Sequence, residues 1–319
     1  MLASRPSLYK PEDAFANMYA TRTAEFAAEG RAAGLRPVTK DPRRIGLIIV
    51  DAQWDFVHPT GTLKVDGSQD DMRRLSEFIY ANMEEIGSIY ASLDTHHEFQ
   101  IFSDSWWVYM DNQKEHPAPF TMIGLNTRGE AVNLENGRQV LALFDPLWSA
   151  TYLRELKTKA QKDLMIWPGH CLQGTMGHNL MPSLREALTF HASARLSQIQ
   201  FLVKGTCPQV EHYGIFAAEV PWPKDPSTGM NTSVLDAIAQ NDLIYVAGEA
   251  KSHCVLATMK QLVSYFSGQP DVIRKIRFLM DCTSSVVHPL VDFEAIAQAE
   301  LATMAKLGVQ LVTSTDTIG

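Results

Sequence analysis

The amino-acid sequence predicts an α/β protein with one doubly wound, about six-stranded parallel sheet and helices on both faces. Two observations predict it. Short apolar runs end on polar residues, as strands buried on both faces do. Helical patterns lie between these runs and are long enough to serve as parallel crossovers.

RIGLIIVDAQWDF opens the series, with the apolar run Ile45 to Val50 ending on Asp51. A candidate helix near residues 70 to 86 leads into the strand IGSIYASLD. DLMIW at 163 to 167 reads as a third strand, SLREAL near 183 to 188 as a helix, and IQFLVKG at 199 to 205 as a fourth strand. NTSVLDAIAQ, then LIYVAG, then the helix pattern HCVLATMKQLVSYF continue the alternation. IRFLMD at 276 to 281, the helix pattern DFEAIAQAELATMAKLG and a last short run, VQLVTS, close it. This reads as one domain over residues 44–319, with residues 1–43 as an N-terminal extension packed on the core. Residues 98–162 break the rhythm with many aromatics and the segment FDPLWSATYL, and read as an insertion that walls a pocket or an interface. In such a fold the ligand site lies at the carboxyl ends of the strands.

Composition narrows the function. Of 319 residues, 45% are apolar and 20% charged, ordinary for a folded chain, and the formal charge of -8 argues against a phosphate-backbone partner. No run approaches the length of a membrane span, and MLASRPSLYKPEDAF lacks the apolar centre of a signal peptide. The expectation is a cytoplasmic protein with reduced thiols, binding neither nucleic acid nor membrane. The extension and the insertion could cover subunit interfaces, so a homo-oligomer is left open. Cys171, Cys207, Cys254 and Cys282 lack the spacing of a disulfide framework or a CxxC site.

Polar residues converge where the strands stop: Asp51, Asp94, Lys204, and Cys254 just beyond LIYVAG. Taken singly, either Asp reads as a turn or cap residue, Lys204 as an exposed strand-end charge and Cys254 as a small buried hydrophobe. Together they occupy the face where a doubly wound fold places its ligand. A cysteine is nucleophilic as thiolate, a form favoured by a helix N-terminus and by a neighbouring cation such as Lys204. Asp51 can take the thiol proton and pass it to a leaving group. The turn GEAKSHC can aim the N–H groups of Ala250 and Cys254 at a developing oxyanion. His253 is an alternative base, although adjacent residues at a helix start point in different directions.

A second cluster combines DTHH at 94 to 97 with WPGHCLQG at 167 to 174. Asp94, His96 and His170 make a carboxylate and two imidazoles suited to one divalent ion, Zn first and Fe or Mn next, with water in the remaining positions. His97 is expected outside that shell.

DAQWDF, SLDTHHEF, WPGHCLQGT, LVKGTCPQVEHYGIF and GEAKSHCV together resemble the signature segments of nicotinamidases, within the isochorismatase-like cysteine hydrolase superfamily. The resemblance spans roughly residues 44 to 313. It implies a cysteine hydrolase domain with the triad Asp51, Lys204 and Cys254. The implied reaction converts nicotinamide to nicotinate and ammonia through a thioester, a step in NAD salvage. It further implies that Asp94, His96 and His170 hold a divalent metal against the pyridine nitrogen, and that Phe56, Trp167 and Tyr213 wall the ring. The usual HPxxHxSF reads HEFQIFSDSWW here, so a further metal ligand sometimes found there is missing. Three other readings remain: another small amide as substrate, a metallohydrolase whose nucleophile is metal-bound water, and a non-catalytic small-ligand binder.

Overall fold

The computed structural model describes residues 5–15, 21–288 and 291–318. Six parallel strands form the central sheet: β1 (Ile45–Val50), β2 (Ile86–Asp94), β3 (Ile199–Lys204), β4 (Leu243–Gly248), β5 (Ile276–Leu279) and β6 (Gln310–Val312). Their spatial order is β6-β5-β4-β1-β2-β3. The chain winds outward from β1 through β2 to β3, then returns to the other side of β1 and winds outward again. With crossovers of one hand, that reversal puts the helices of the two halves on opposite faces.

Side-chain alternation in β1 feeds both faces. Ile45, Leu47 and Ile49 pack in one core with α2 (Ser68–Ala81) and α3 (Pro182–Arg195). Ile48 and Val50 pack in the other with α4 (Thr232–Ala239), α5 (Leu256–Tyr265) and α6 (Phe293–Leu307). Every residue of β1 and β4 is buried, which explains their unbroken apolar runs. In α2, Met72, Leu75 and Ile79 recur at helical spacing and face the core, while Asp70 and Asp71 stand in the first turn, where the helix dipole favours negative charge. The helix ends at Ala81, short of the expected residue 86, and β2 begins at Ile86.

Before β1, α1 (Thr23–Ala32) packs on α3: Phe26 is fully buried, and a Cβ on Gly30 would lie 2.6 Å from the Phe190 carbonyl. Between β2 and α3 the chain builds two small antiparallel sheets. One pairs Trp107–Tyr109 with Val140–Ala142, and the other joins Met122–Leu125 to Ala131–Asn133 and Leu164–Met165. A third core lies beneath them, including Trp106, Trp107, Tyr152, Leu156 and Trp167. Here DLMIW departs from expectation. It belongs to the three-stranded antiparallel sheet, because β2 already has β1 and β3 as its two neighbours and the central sheet offers no slot between them. Among the described residues, no helix is long and apolar enough to cross a membrane.

Candidate active site

The order of the sheet reverses between β1 and β4, and a crevice at their carboxyl ends is the ligand site of such a fold. Asp51 follows β1 with a left-handed φ of 44°, a conformation that Asp tolerates better than most residues, and the strand breaks off there. Asp94 ends β2, Lys204 ends β3, and Cys254 lies in a π-helical turn, Lys251–Val255, that follows β4 and runs into α5. Side chains distant in sequence thus meet because four strands end at one level.

Lys204 sits between the two acids. Its Nζ lies 2.9 Å from Asp51 Oδ2, 2.8 Å from Asp94 Oδ1 and 3.8 Å from Cys254 Sγ, and it donates to the His212 carbonyl at 2.9 Å. All four side chains are buried. Burial disfavours the ammonium, but the two carboxylates outweigh it and hold Lys204 well above the ordinary lysine value. Asp94 loses solvation too, yet His96 and Lys204 keep it well below the carboxylate range. Asp51 is pushed up, by burial first and by the charge of Asp94 next, with Lys204 opposing. Ser92 fixes its orientation: the hydroxyl donates to Asp51 Oδ1 at 2.6 Å and accepts the Asp51 N–H at 2.9 Å.

Opposing influences meet at the thiol. Cys254 is raised well above the ordinary value, by burial first and also by Asp51 and Asp94, while Lys204 lowers it only in part. One cation between two carboxylates has no surplus charge to hold a resting thiolate. Burial and the two carboxylates thus favour the thiol form of Cys254 over the thiolate.

Asp94 turns its other oxygen to the histidines. Oδ2 lies 2.9 Å from His96 Nε2 and 3.7 Å from His170 Nε2. The opposite ring nitrogens face carbonyls, His96 Nδ1 at 3.3 Å from Gly205 O and His170 Nδ1 at 2.8 Å from Pro168 O. A hydrogen on each Nδ1, facing a carbonyl that can only accept, leaves Nε2 to ligate, which is the tautomer a metal-binding histidine takes. The ligating atoms of Asp94, His96 and His170 lie within 4.8 Å of one another, so the three fit a divalent ion. Asp51, Asp94 and Cys254 approach as closely, but there the Lys204 ammonium fills the place of a cation. His97 stands outside the ligand group, lining a neighbouring surface pocket. His170 comes from a loop beyond the small sheet, and reaches His96 because His96 N–H donates to Cys171 O and Gln173 N–H to His96 O.

A cavity opens over Cys254, walled by Phe56, Trp167, Tyr213, Ala250 and His253 and floored by the metal-ligand group. Trp167 Nε1 donates to the Tyr213 hydroxyl at 2.9 Å, which locks two of the expected ring walls together. Among the described residues, the Ala250 N–H has no hydrogen-bond partner, as a free oxyanion donor requires. His253 does not reach the thiol as a base. Its Nδ1 pairs with the Ser252 hydroxyl at 2.9 Å, and its ring lies edge-on to Trp167, so it serves as wall.

Sequence reasoning missed the residues that hold these groups. Gln53 clamps the Asp94 backbone from both sides: its Oε1 accepts the Asp94 N–H at 2.7 Å and its Nε2 donates to Asp94 O at 2.8 Å. Asp55 Oδ2 accepts the Cys171 N–H at 2.7 Å and so anchors the loop carrying His170. Their signal was present in DAQWDF, where buried polar residues follow directly on a buried strand. Ser92 is likewise the one hydroxyl two residues before Asp94, on the same face of β2.

Comparison with known proteins supports the fold. No family model matches the chain, and no curated protein does. Among solved structures, the yeast nicotinamidase Pnc1p superposes with a TM-score of 0.55 at 17% identity, covering 84% of this chain and 99% of that one. The same yeast enzyme bound to the inhibitor nicotinaldehyde gives 0.55 at 16%, covering 84% and 99%. A nicotinamidase and pyrazinamidase from Acinetobacter baumanii gives 0.53 at 18%, covering 87% and 99%. The chain has the fold of these hydrolases.

Proposed function

We propose that the protein is a cysteine amidohydrolase that converts nicotinamide to nicotinate and ammonia. The observation that carries this reading is Lys204 bridging Asp51 and Asp94 beside Cys254, beneath an aromatic cavity floored by Asp94, His96 and His170.

The carboxamide carbon is placed over Sγ, with the ring between Phe56 and Trp167. Asp51 takes the thiol proton as sulfur attacks the carbonyl carbon, so that no free thiolate builds up in the resting enzyme. The N–H groups of Ala250 and Cys254 stabilise the oxyanion. Collapse breaks the C–N bond, and Asp51 returns the proton to the departing ammonia. Water then attacks the thioester with Asp51 as base, releasing nicotinate and restoring the thiol. Lys204 stays protonated throughout and keeps the two buried carboxylates compatible. A divalent ion held by Asp94, His96 and His170, Zn before Fe or Mn, would supply a Lewis-acid contact for the pyridine nitrogen when bound. The product fits a place in NAD salvage.

The test is ammonia release across nicotinamide, pyrazinamide, benzamide and small aliphatic amides. Nicotinamide is expected to outrun benzamide strongly, because a site built around a polar contact rejects an analogue lacking it. Faster turnover of an aliphatic amide would assign another small amide to the same chemistry. Cys254→Ala is expected to abolish turnover while leaving metal content unchanged. Retained activity would instead make metal-bound water the nucleophile.

A further inference from the structure

Glu249 is a carboxylic acid that the chemistry above does not use. It stands between Gly248, the last residue of β4, and Ala250, whose free N–H borders the cavity. Its side chain is completely buried. Oε2 accepts the Ser284 N–H at 3.3 Å, whereas Oε1 receives no hydrogen-bond donor among the described residues.

The Ser284 that holds it also holds a second buried carboxyl, Asp71, from the first turn of α2. Asp71 Oδ1 takes the Arg74 guanidinium at 2.6 Å, and Oδ2 takes the Ser284 hydroxyl at 2.5 Å. Ser284 therefore touches both acids, and it also accepts the Lys251 N–H on its carbonyl at 2.8 Å. The other charges around the pair are engaged elsewhere. Arg74 Nε donates to the Asp281 carbonyl at the end of β5, and Lys251 Nζ pairs with Glu294 of α6 at 2.7 Å. Cys282 adds only a neutral thiol. Ser284 thus brings together two buried carboxyls with one cation, Arg74, on Asp71, and a proton on Glu249 avoids two adjacent buried charges.

We propose that Glu249 is a positioning residue, which stays protonated in the working enzyme, donates its carboxyl hydrogen to Asp71, and so fixes the turn that aims the Ala250 N–H at the substrate oxygen. The proposal rests on the reading of Cys254 as nucleophile. Burial, and next the charge of Asp71, push the Glu249 carboxyl well above the carboxylate range. Loss of the shared proton to solvent at alkaline pH leaves two carboxylates face to face. Their hydrogen bond is gone, the turn shifts, and the oxyanion loses a donor while the cavity walls remain.

Infrared difference spectra and kinetics test this in separate arms. Wild type minus Glu249→Gln at neutral pH is expected to contain the carbonyl band of a protonated carboxylic acid, fading as pH rises. No such band would overturn the proposal. The same band is expected against a Cys254→Ala background, where turnover is absent, so the acid pair is judged apart from the hydrolase reading. In kinetics, wild type is expected to show an alkaline limb in kcat. Glu249→Gln, whose amide keeps a donor toward Asp71, retains most of kcat and loses that limb; an unchanged limb would overturn the proposal. Glu249→Leu is expected to lower kcat about 100-fold, the size of one oxyanion donor, with KM little changed. A Leu variant that fails to fold leaves the spectrum and the Gln profile to decide.

Discussion

Lys204 carries the electrostatics of the site in one atom, since its Nζ contacts both Asp51 and Asp94 with no solvent in reach. Removing one partner of a buried ion pair costs more than the pair contributes, because the other charges stay buried without compensation. Lys204→Met is therefore expected to lower the unfolding free energy by about 3–5 kcal/mol at neutral pH. The pH dependence of that loss has a definite sign. Without the ammonium, both carboxyls are raised in the folded state, so the folded variant binds more protons than its unfolded chain and gains stability as pH falls. Wild type behaves oppositely through Asp94, whose depressed value contributes stability above the ordinary carboxylate range and loses it as pH drops below. Denaturant unfolding of both proteins across acid and neutral pH should show the deficit narrowing toward acid. A constant deficit would mean that the ammonium acts by packing alone.

The elements place these residues through turns rather than through strand interiors. After β3 the chain passes Gly205 at φ +79°, where a Cβ would lie 2.7 Å from His96 Cε1 and 2.8 Å from Asp94 Oδ1. Only glycine leaves room there for both groups. After β1, Gln53 holds the Asp94 backbone. Gly205→Ala and Gln53→Leu are each expected to weaken metal binding about 10- to 100-fold, as loss of outer-shell support does. His96→Ala should abolish binding, and His97→Ala should leave it unchanged. Elemental analysis and competition with a chelator read these directly, without reference to turnover. Equal metal content in wild type and His96→Ala would remove His96 from the ligand set. The strand ends were legible in sequence because each closes an apolar run with one charge. The supporting turns were not, because a polar residue in a turn is the common case and only its partner, far away in sequence, distinguishes Gln53 or Asp55 from an ordinary loop residue.

At the scale of the whole molecule, the site joins two architectures. Asp51, Asp94 and Lys204 stand at strand ends of the parallel sheet and Cys254 just beyond β4, and the alternation of apolar runs and helices that builds this sheet was readable from period and length alone. Trp167 belongs to the third core, beneath the small antiparallel sheets, and nothing in the five residues of DLMIW distinguished an antiparallel partner from a parallel one. That core reaches the cavity through Tyr152. Its hydroxyl accepts the Glu211 N–H at 2.8 Å and lies 3.3 Å from Glu211 Oε2, while Glu211 Oε1 accepts the Tyr213 hydroxyl at 2.8 Å and Tyr213 in turn receives Trp167 Nε1. Burial pushes the Glu211 carboxyl up to about 7, so this chain of contacts is held by hydrogen bonds more than by charge. Tyr152→Phe leaves the buried Glu211 N–H without its acceptor, at a cost of about 1–3 kcal/mol. The loosened part is the side of the cavity walled by Trp167 and Tyr213, not the sheet that carries Cys254. Steady-state kinetics should therefore show KM rising about tenfold, equivalent to ~1.4 kcal/mol of lost binding, with kcat and metal content nearly unchanged. A fall in kcat at constant KM would mean that the third core supports the nucleophile instead of the wall.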